Sequence, residues 1–292
     1  MTSDLSELLE RARFEVIPMT GIEEEVEGNL PPGAVVTVTS SPRKGPDATM
    51  NLAERFAARG FEVVPHLSAR TVRSRDHLEE LVGRASSAGV RELFVIGGDA
   101  TEPAGPYASA GELLAELWDV DPGLERVGVG GYPEGHPLID DEVLFEVLAE
   151  KQSVADYVAT QICFEATTVI DWVSAIRERG IELPVYLGMA GAVRRRKLLE
   201  ISLRVGVGDS VRYLTKHGSL VTRLMRRGGY KPDAFVAHAA PFIEDSDYGI
   251  AGFHVYTFNQ VESTERWRRQ LAETYRRAAT PLSGRTEHDT AS

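Results

Sequence analysis

Eight short β-rich runs, most of them followed by a helical pattern, recur along the 292 residues and leave few folds open. The runs are RFEVIP (13–18), AVVTVTS (34–40), FEVVPHL (61–67), ELFVIGG (92–98), RVGVGGYP (126–133), YVATQICF (157–164), PVYLGM (184–189) and GFHVYTF (252–258). Helical spacing fills 47–60, 74–89, 108–118, 141–153 and 167–180, and several of these segments end in the glycine expected past a helix C-terminus. Alternation of this kind implies parallel strands joined by crossover helices. An open doubly wound sheet more often stops at about five or six strands, so eight units in this length predict an α/β fold, the (β/α)8 TIM barrel. Residues 205–250 carry two or three further helical segments before the last run. The chain 1–292 is expected to form a single barrel domain, with a disordered tail from about 279, where ATPLSGRTEHDTAS has no periodicity.

Charge narrows the function. A net charge of -12 and a pI near 5.2 give a field that repels phosphate backbones and acidic membrane surfaces, so no nucleic-acid or membrane partner is expected. Small-molecule chemistry is left. The single cysteine, Cys163, excludes an internal disulfide framework, and MTSDLSELLERARF is acidic where a signal peptide is basic and then apolar. No apolar run approaches the roughly 18 residues of a membrane span, and a soluble cytoplasmic protein is expected. A homo-oligomer is left open.

In a barrel of this kind the site lies at the carboxyl ends of the strands, so polar residues there are the candidates. Gly97 and Gly98 permit a sharp turn or a close ligand approach, and Asp99 either caps that turn or presents a carboxylate at the barrel mouth. Glu15 sits inside an apolar strand, where an ionised carboxylate is costly to bury. It faces water, pairs with an arginine, or has a raised pKa and serves as an acid. Thr39 ends the second run, His66 the third, and Tyr132 and His136 the fifth; either histidine can equally be a satisfied structural residue. Gln161 lies within the sixth run, and a buried amide needs several hydrogen-bond partners of the kind a heterocycle supplies. Cys163, two residues on, is expected in the core. No metal site is expected.

In order and spacing, FEVIP, VTVTS, VVPHLSAR, FVIGGD followed by PYASAGELL, GVGGYPEGHP, ADYVATQICFE and FHVYTFN resemble the methylenetetrahydrofolate reductase family, over about residues 13 to 260. The resemblance implies a (β/α)8 barrel that reduces 5,10-methylenetetrahydrofolate to 5-methyltetrahydrofolate. By position it makes Glu15 the acid that protonates the folate N5, Asp99 the carboxylate that holds the pterin, Gln161 an amide contact to the pterin, and Thr39 a residue at the folate and nicotinamide site. His66, Tyr107, Tyr132 and His136 stand where the family contacts FAD, and Lys151 alone matches an adjacent Arg and Lys near the end of the helix after the fifth strand.

This chain also departs from that pattern. Most members read Arg-Gly-Asp at the end of the fourth strand, the arginine helping to bind the flavin, where this chain has Gly97-Gly98-Asp99. The Pro-Gly-Ile loop after the seventh strand is replaced within YLGMAGAV. These changes resemble the family's flavin-independent branch, which implies NADH, or alternatively NADPH, as the hydride donor and leaves FAD in doubt. The alternatives are an FAD-dependent reductase and a non-catalytic folate-binding barrel. Arg194, Arg195, Arg196 and Lys197 either meet dinucleotide phosphates or a glutamate tail, or form a solvated surface run. No G-x-G-x-x-G stands in a strand-to-helix setting, so dinucleotide binding does not rest on a Rossmann motif.

Overall fold

The structure is a computed structural model and describes residues 5–40, 44–120, 123–136, 138–193 and 231–279. Strands β1 (Arg13–Val16), β2 (Val35–Val38), β3 (Glu62–Ser68), β4 (Glu92–Ile96), β5 (Arg126–Gly131), β6 (Tyr157–Thr160), β7 (Val185–Ala190) and β8 (Ile250–Tyr256) pair in chain order, all parallel, and β8 closes on β1. This is the (β/α)8 barrel. Around it run α1 (Leu5–Glu10), α2 (Ile22–Asn29), α3 (Gly45–Ala57), α4 (Arg75–Ser87), α5 (Ala110–Val120), α6 (Asp141–Lys151), α7 (Ala166–Glu178), α8 (Pro232–Glu244) and α9 (Val261–Ala279). The basic cluster 194–197, the helical segments expected over 205–230 and the expected tail past 279 lie outside the described residues.

Strand alternation sorts the side chains into two cores. Outward residues such as Phe14, Val36, Val38, Leu93, Val95, Val127, Val129, Leu187 and Phe253 join the helices in one continuous apolar layer. The inward faces are different: only Val64, Phe94, Tyr157 and Ala159 form a small apolar cluster, and the other buried inward residues include Arg13, Thr37, His66 and His254. At the amino ends of the strands, Arg13 pairs with Glu92, Arg126 lies 3.5 Å from the same carboxylate, and the Arg13 guanidinium stacks 4.4 Å from the Tyr157 ring and 3.9 Å from that of Tyr186. Gly128 makes this possible, because a Cβ there would stand 2.0 Å from the Tyr157 ring. The barrel therefore has a charged, aromatic floor and an open polar mouth.

Helices α1, α2 and α9 lie outside the segments in which the sequence shows helical spacing. Only Ile22 and Val26 of IEEEVEGN are buried, and α9 turns Thr264, Glu265 and Arg268 inward beside Trp267, the last two as a buried ion pair at 2.6 Å. An apolar-stripe test passes over helices as short as α1 and α2, which bury only two apolar side chains each, and over α9, whose buried face is partly polar.

Candidate active site

Six of the eight β-rich runs overshoot their strands at the carboxyl end, at the mouth, while the third and seventh stop one residue short of the ends of β3 and β7. Pairing stops once neighbouring strands splay apart, so Thr39 follows β2 and Gln161 follows β6 in loops, whereas the sequence places them at the end of and within strands. Both keep one ladder-like bond, from Thr39 N to Val16 O at 3.0 Å and from Gln161 N to Gly131 O at 2.8 Å. The Gln161 amide also reaches Gly135 O at 3.4 Å, tying β6 to the loop after β5.

That loop carries Tyr132 and His136, whose rings meet edge to face with centroids 5.4 Å apart. Asp99 stands exposed across from them and acts on both. Burial raises the Tyr132 phenol and Asp99 raises it further; burial lowers the His136 imidazole while Asp99 works in the opposite direction. Gly98 adopts φ 90°, and a Cβ there would stand 1.8 Å from Ser68 Oγ, so the chain leaves β4 along a path that only glycine follows without strain.

Arg70, from the turn after β3, fixes the loop that follows. Its guanidinium donates to the carbonyls of Ala100 at 2.5 Å, Thr101 at 2.5 Å and Ala108 at 3.0 Å. The loop ends in a reciprocal cap, Glu112 N to Ser109 Oγ at 3.3 Å and Ser109 N to Glu112 Oε2 at 3.1 Å, which starts α5. Arg70 was visible in PHLSAR, but its role depends on carbonyls about 30 residues away.

Beneath the mouth lies the chemical centre. Glu15 projects inward from β1 with its side chain 13% exposed, and its Oε2 is 3.0 Å from Nε2 of His254 in β8. His66 completes the group: one ligand-type atom from each of Glu15, His66 and His254 lies within 4.8 Å of the others, a set able to hold a metal ion. Burial pushes the His66 imidazole down to about 4, with Glu15 opposing, so this ring is neutral near pH 7. Its ring packs 4.7 Å from Phe94. Thr37 Oγ1, Ser40 Oγ and His66 Nε2 are buried without hydrogen-bond partners among the described residues. Such atoms cost about 1–3 kcal/mol each when left unmade, which suits a wall that waits for a polar ligand.

His254 was missed. Alternation along the last run puts Gly252, His254 and Tyr256 on one face, which was a readable signal that this histidine points inward.

Two candidates lie elsewhere. Tyr107 is 2% exposed within the outer apolar layer, and its hydroxyl donates to Glu116 Oε2 of α5 at 2.6 Å; burial first, and then Glu116, push it up to about 12. Lys151 is the last residue of α6, and neighbouring Gln152 bonds Gly180 O and Glu182 N, in the segment leading into β7. Helices run back from the mouth, so eleven residues of α6 carry Lys151 about 16 Å away, toward the floor. Burial lowers its ammonium, as expected for a lysine packed without a strong counter-charge. Cys163 is fully buried, its thiol raised by burial.

Comparisons with known proteins bear on the family of the chain. The profile of the family described as "Methylenetetrahydrofolate reductase" matches residues 23–200, which hold Thr39, His66, Asp99, Tyr132, His136 and Gln161. Methylenetetrahydrofolate reductase 1 of Schizosaccharomyces pombe is 27% identical over 132 residues, covering 42% of this chain and 22% of that protein. Methylenetetrahydrofolate reductase 2 of Saccharomyces cerevisiae is 23% identical over 217 residues, 68% of this chain and 35% of that protein. The chain thus spans about a third or less of the length of these relatives. Among solved structures, one of the tryptophan synthase a2b2 complex from Pyrococcus furiosus superposes with a TM-score of 0.49 at 10% identity, over 94% of this chain and 98% of that one. With the profile covering most of the barrel, the chain belongs to the methylenetetrahydrofolate reductase family.

Proposed function

We propose that this protein reduces 5,10-methylenetetrahydrofolate to 5-methyltetrahydrofolate with hydride from NADH or NADPH, without an intervening flavin. The observation that carries the reaction class is the mostly buried carboxyl of Glu15 within a polar barrel mouth. The methylene bridge must open before it accepts hydride. The product keeps its carbon on N5, so the bond that breaks is the one to N10, and the proton goes to N10 rather than to N5. Glu15 supplies that proton; the C=N5 iminium left behind accepts hydride at the same carbon. General acid catalysis of this kind contributes about 100- to 10,000-fold. Asp99 offers an exposed carboxylate at the rim for the N–H edge of the pterin, and Gln161 offers an amide from the end of β6. Thr39 lies on the β2 side of the same mouth.

FAD, which most of the family is expected to hold, fits these residues poorly. Gly97 stands where the flavin's arginine is expected, Lys151 lies toward the floor, and the Tyr107 hydroxyl is engaged by Glu116. Charge-assisted contacts are worth about 1.5–3 kcal/mol each, so two lost cations weaken a pyrophosphate by roughly two to four powers of ten. The expected result is a dialysed protein that is colourless near 450 nm and oxidises NADH or NADPH with methylenetetrahydrofolate at the same rate with or without added FAD. A yellow protein, or activity that appears only with FAD, sinks the flavin-free reading.

Asp99→Ala tests the folate side. Removing the carboxylate is expected to weaken folate binding by roughly 2 kcal/mol, about 30-fold, measured by fluorescence titration. Unchanged affinity with a lower melting temperature would leave Asp99 as a turn cap.

A further inference from the structure

We infer that His254 is the positioning residue for Glu15, selecting the side-chain conformation from which the acid delivers its proton. The inference rests on reading Glu15 as the proton donor.

Glu15 has three rotatable side-chain bonds, and a glutamate held in one conformation gives up on the order of 1.5–2 kcal/mol of rotamer freedom. Something must select that conformation. The Nε2 of His254, 3.0 Å from Oε2, is the one side-chain hydrogen bond to this carboxyl among the described residues. His254 is itself 2% exposed, its ring packed 5.0 Å from Tyr256 and 6.2 Å from both Phe94 and His66. Other charged or titratable groups nearby are engaged or neutral. Arg13, level with His254 in the β1–β8 pairing, is bound to Glu92, and burial keeps His66 uncharged near pH 7.

The backbone beneath the acid is held by the same strand end. Thr257 Oγ1 donates to Glu15 O at 2.6 Å, and the Asn259 side chain brackets Ile17, accepting from its N–H at 2.8 Å and donating to its carbonyl at 2.9 Å. To do so the chain adopts φ 49° at Phe258 and φ 55° at Asn259, a left-handed conformation that a bulky residue such as phenylalanine rarely takes. The end of β8 thus clamps Glu15 at its main chain and at one carboxyl oxygen. The second oxygen is left for substrate. Once the proton has gone, an imidazole N–H steadies the new carboxylate.

The test compares two amides at position 254. Glutamine sets its nitrogen close to where the ring carries Nε2, whereas asparagine falls short. His254→Asn is expected to lower kcat by about 10- to 100-fold, the worth of one hydrogen bond to a charged group, with KM for the folate changed less than about threefold. Its solvent deuterium isotope effect on kcat should rise, because proton delivery becomes limiting. His254→Gln should recover most of kcat and the wild-type isotope effect. Thermal melts of both variants establish that they fold. The assignment is overturned if Gln is as slow as Asn, if both match wild type, or if the loss is in KM. Should Glu15→Gln itself remain active, the proton-donor reading falls and this inference with it; an inactive Glu15→Gln beside a fully active His254→Asn removes His254 alone.

Discussion

Glu15→Gln is expected to lower kcat by about 100- to 10,000-fold while folate binding stays within a few-fold of wild type. Glutamine has the volume of glutamate and can still hydrogen-bond His254 Nε2 from the same place on β1, so the packing of the mouth is preserved. It cannot release a proton. An interaction needed only as the N10 bond breaks is absent from the ground state, so the loss falls on kcat rather than on affinity. The measurements are steady-state oxidation of the nicotinamide with methylenetetrahydrofolate and a folate titration on the same protein. Residual turnover above about a tenth of wild type is incompatible with a general acid of the expected minimum effect.

Arg13→Met is expected to cost about 3–5 kcal/mol of stability, the cost of leaving one charge of a buried ion pair without its partner. The Arg13 side chain is 4% exposed, and Glu92, 17% exposed, would keep Arg126 at 3.5 Å as its one paired cation among the described residues. The cation also lies against the faces of Tyr157 and Tyr186, and methionine replaces that contact only in part. Urea unfolding of wild type, Arg13→Met and the double variant Arg13→Met with Glu92→Gln measures the coupling. The double variant should regain a good part of the loss because the stranded carboxylate is gone. A single-variant loss under about 1 kcal/mol would mean that water reaches the floor and screens the pair.

The two predictions concern successive inward-facing residues of β1 and differ in how they were read. Glu15 was legible before any fold was known, because a carboxylate inside FEVIP breaks the apolar alternation. Arg13 stands two residues earlier on the same face, yet its role depends on Glu92, Tyr157 and Tyr186 from three other strands. Lys151 shows the converse. It matched by order along the chain, but position in sequence says nothing about which end of a helix faces the mouth; only the return path of α6 does.

What the sequence determined by itself was the local part: eight strands, the helices whose apolar stripe faces the barrel, the glycines that end β4, and a set of polar residues at the carboxyl ends. These follow from periods of about two and 3.6 residues and from turn chemistry, all of which act within a dozen positions. The tertiary structure alone decided which polar residues meet. His254 and Glu15 are 239 positions apart and touch because β8 closes on β1 in the register that sets Arg13 beside His254 and Glu15 beside Tyr256. Closing a barrel links strand tilt to stagger around the whole ring, so that register is a property of all eight strands together and of no single segment.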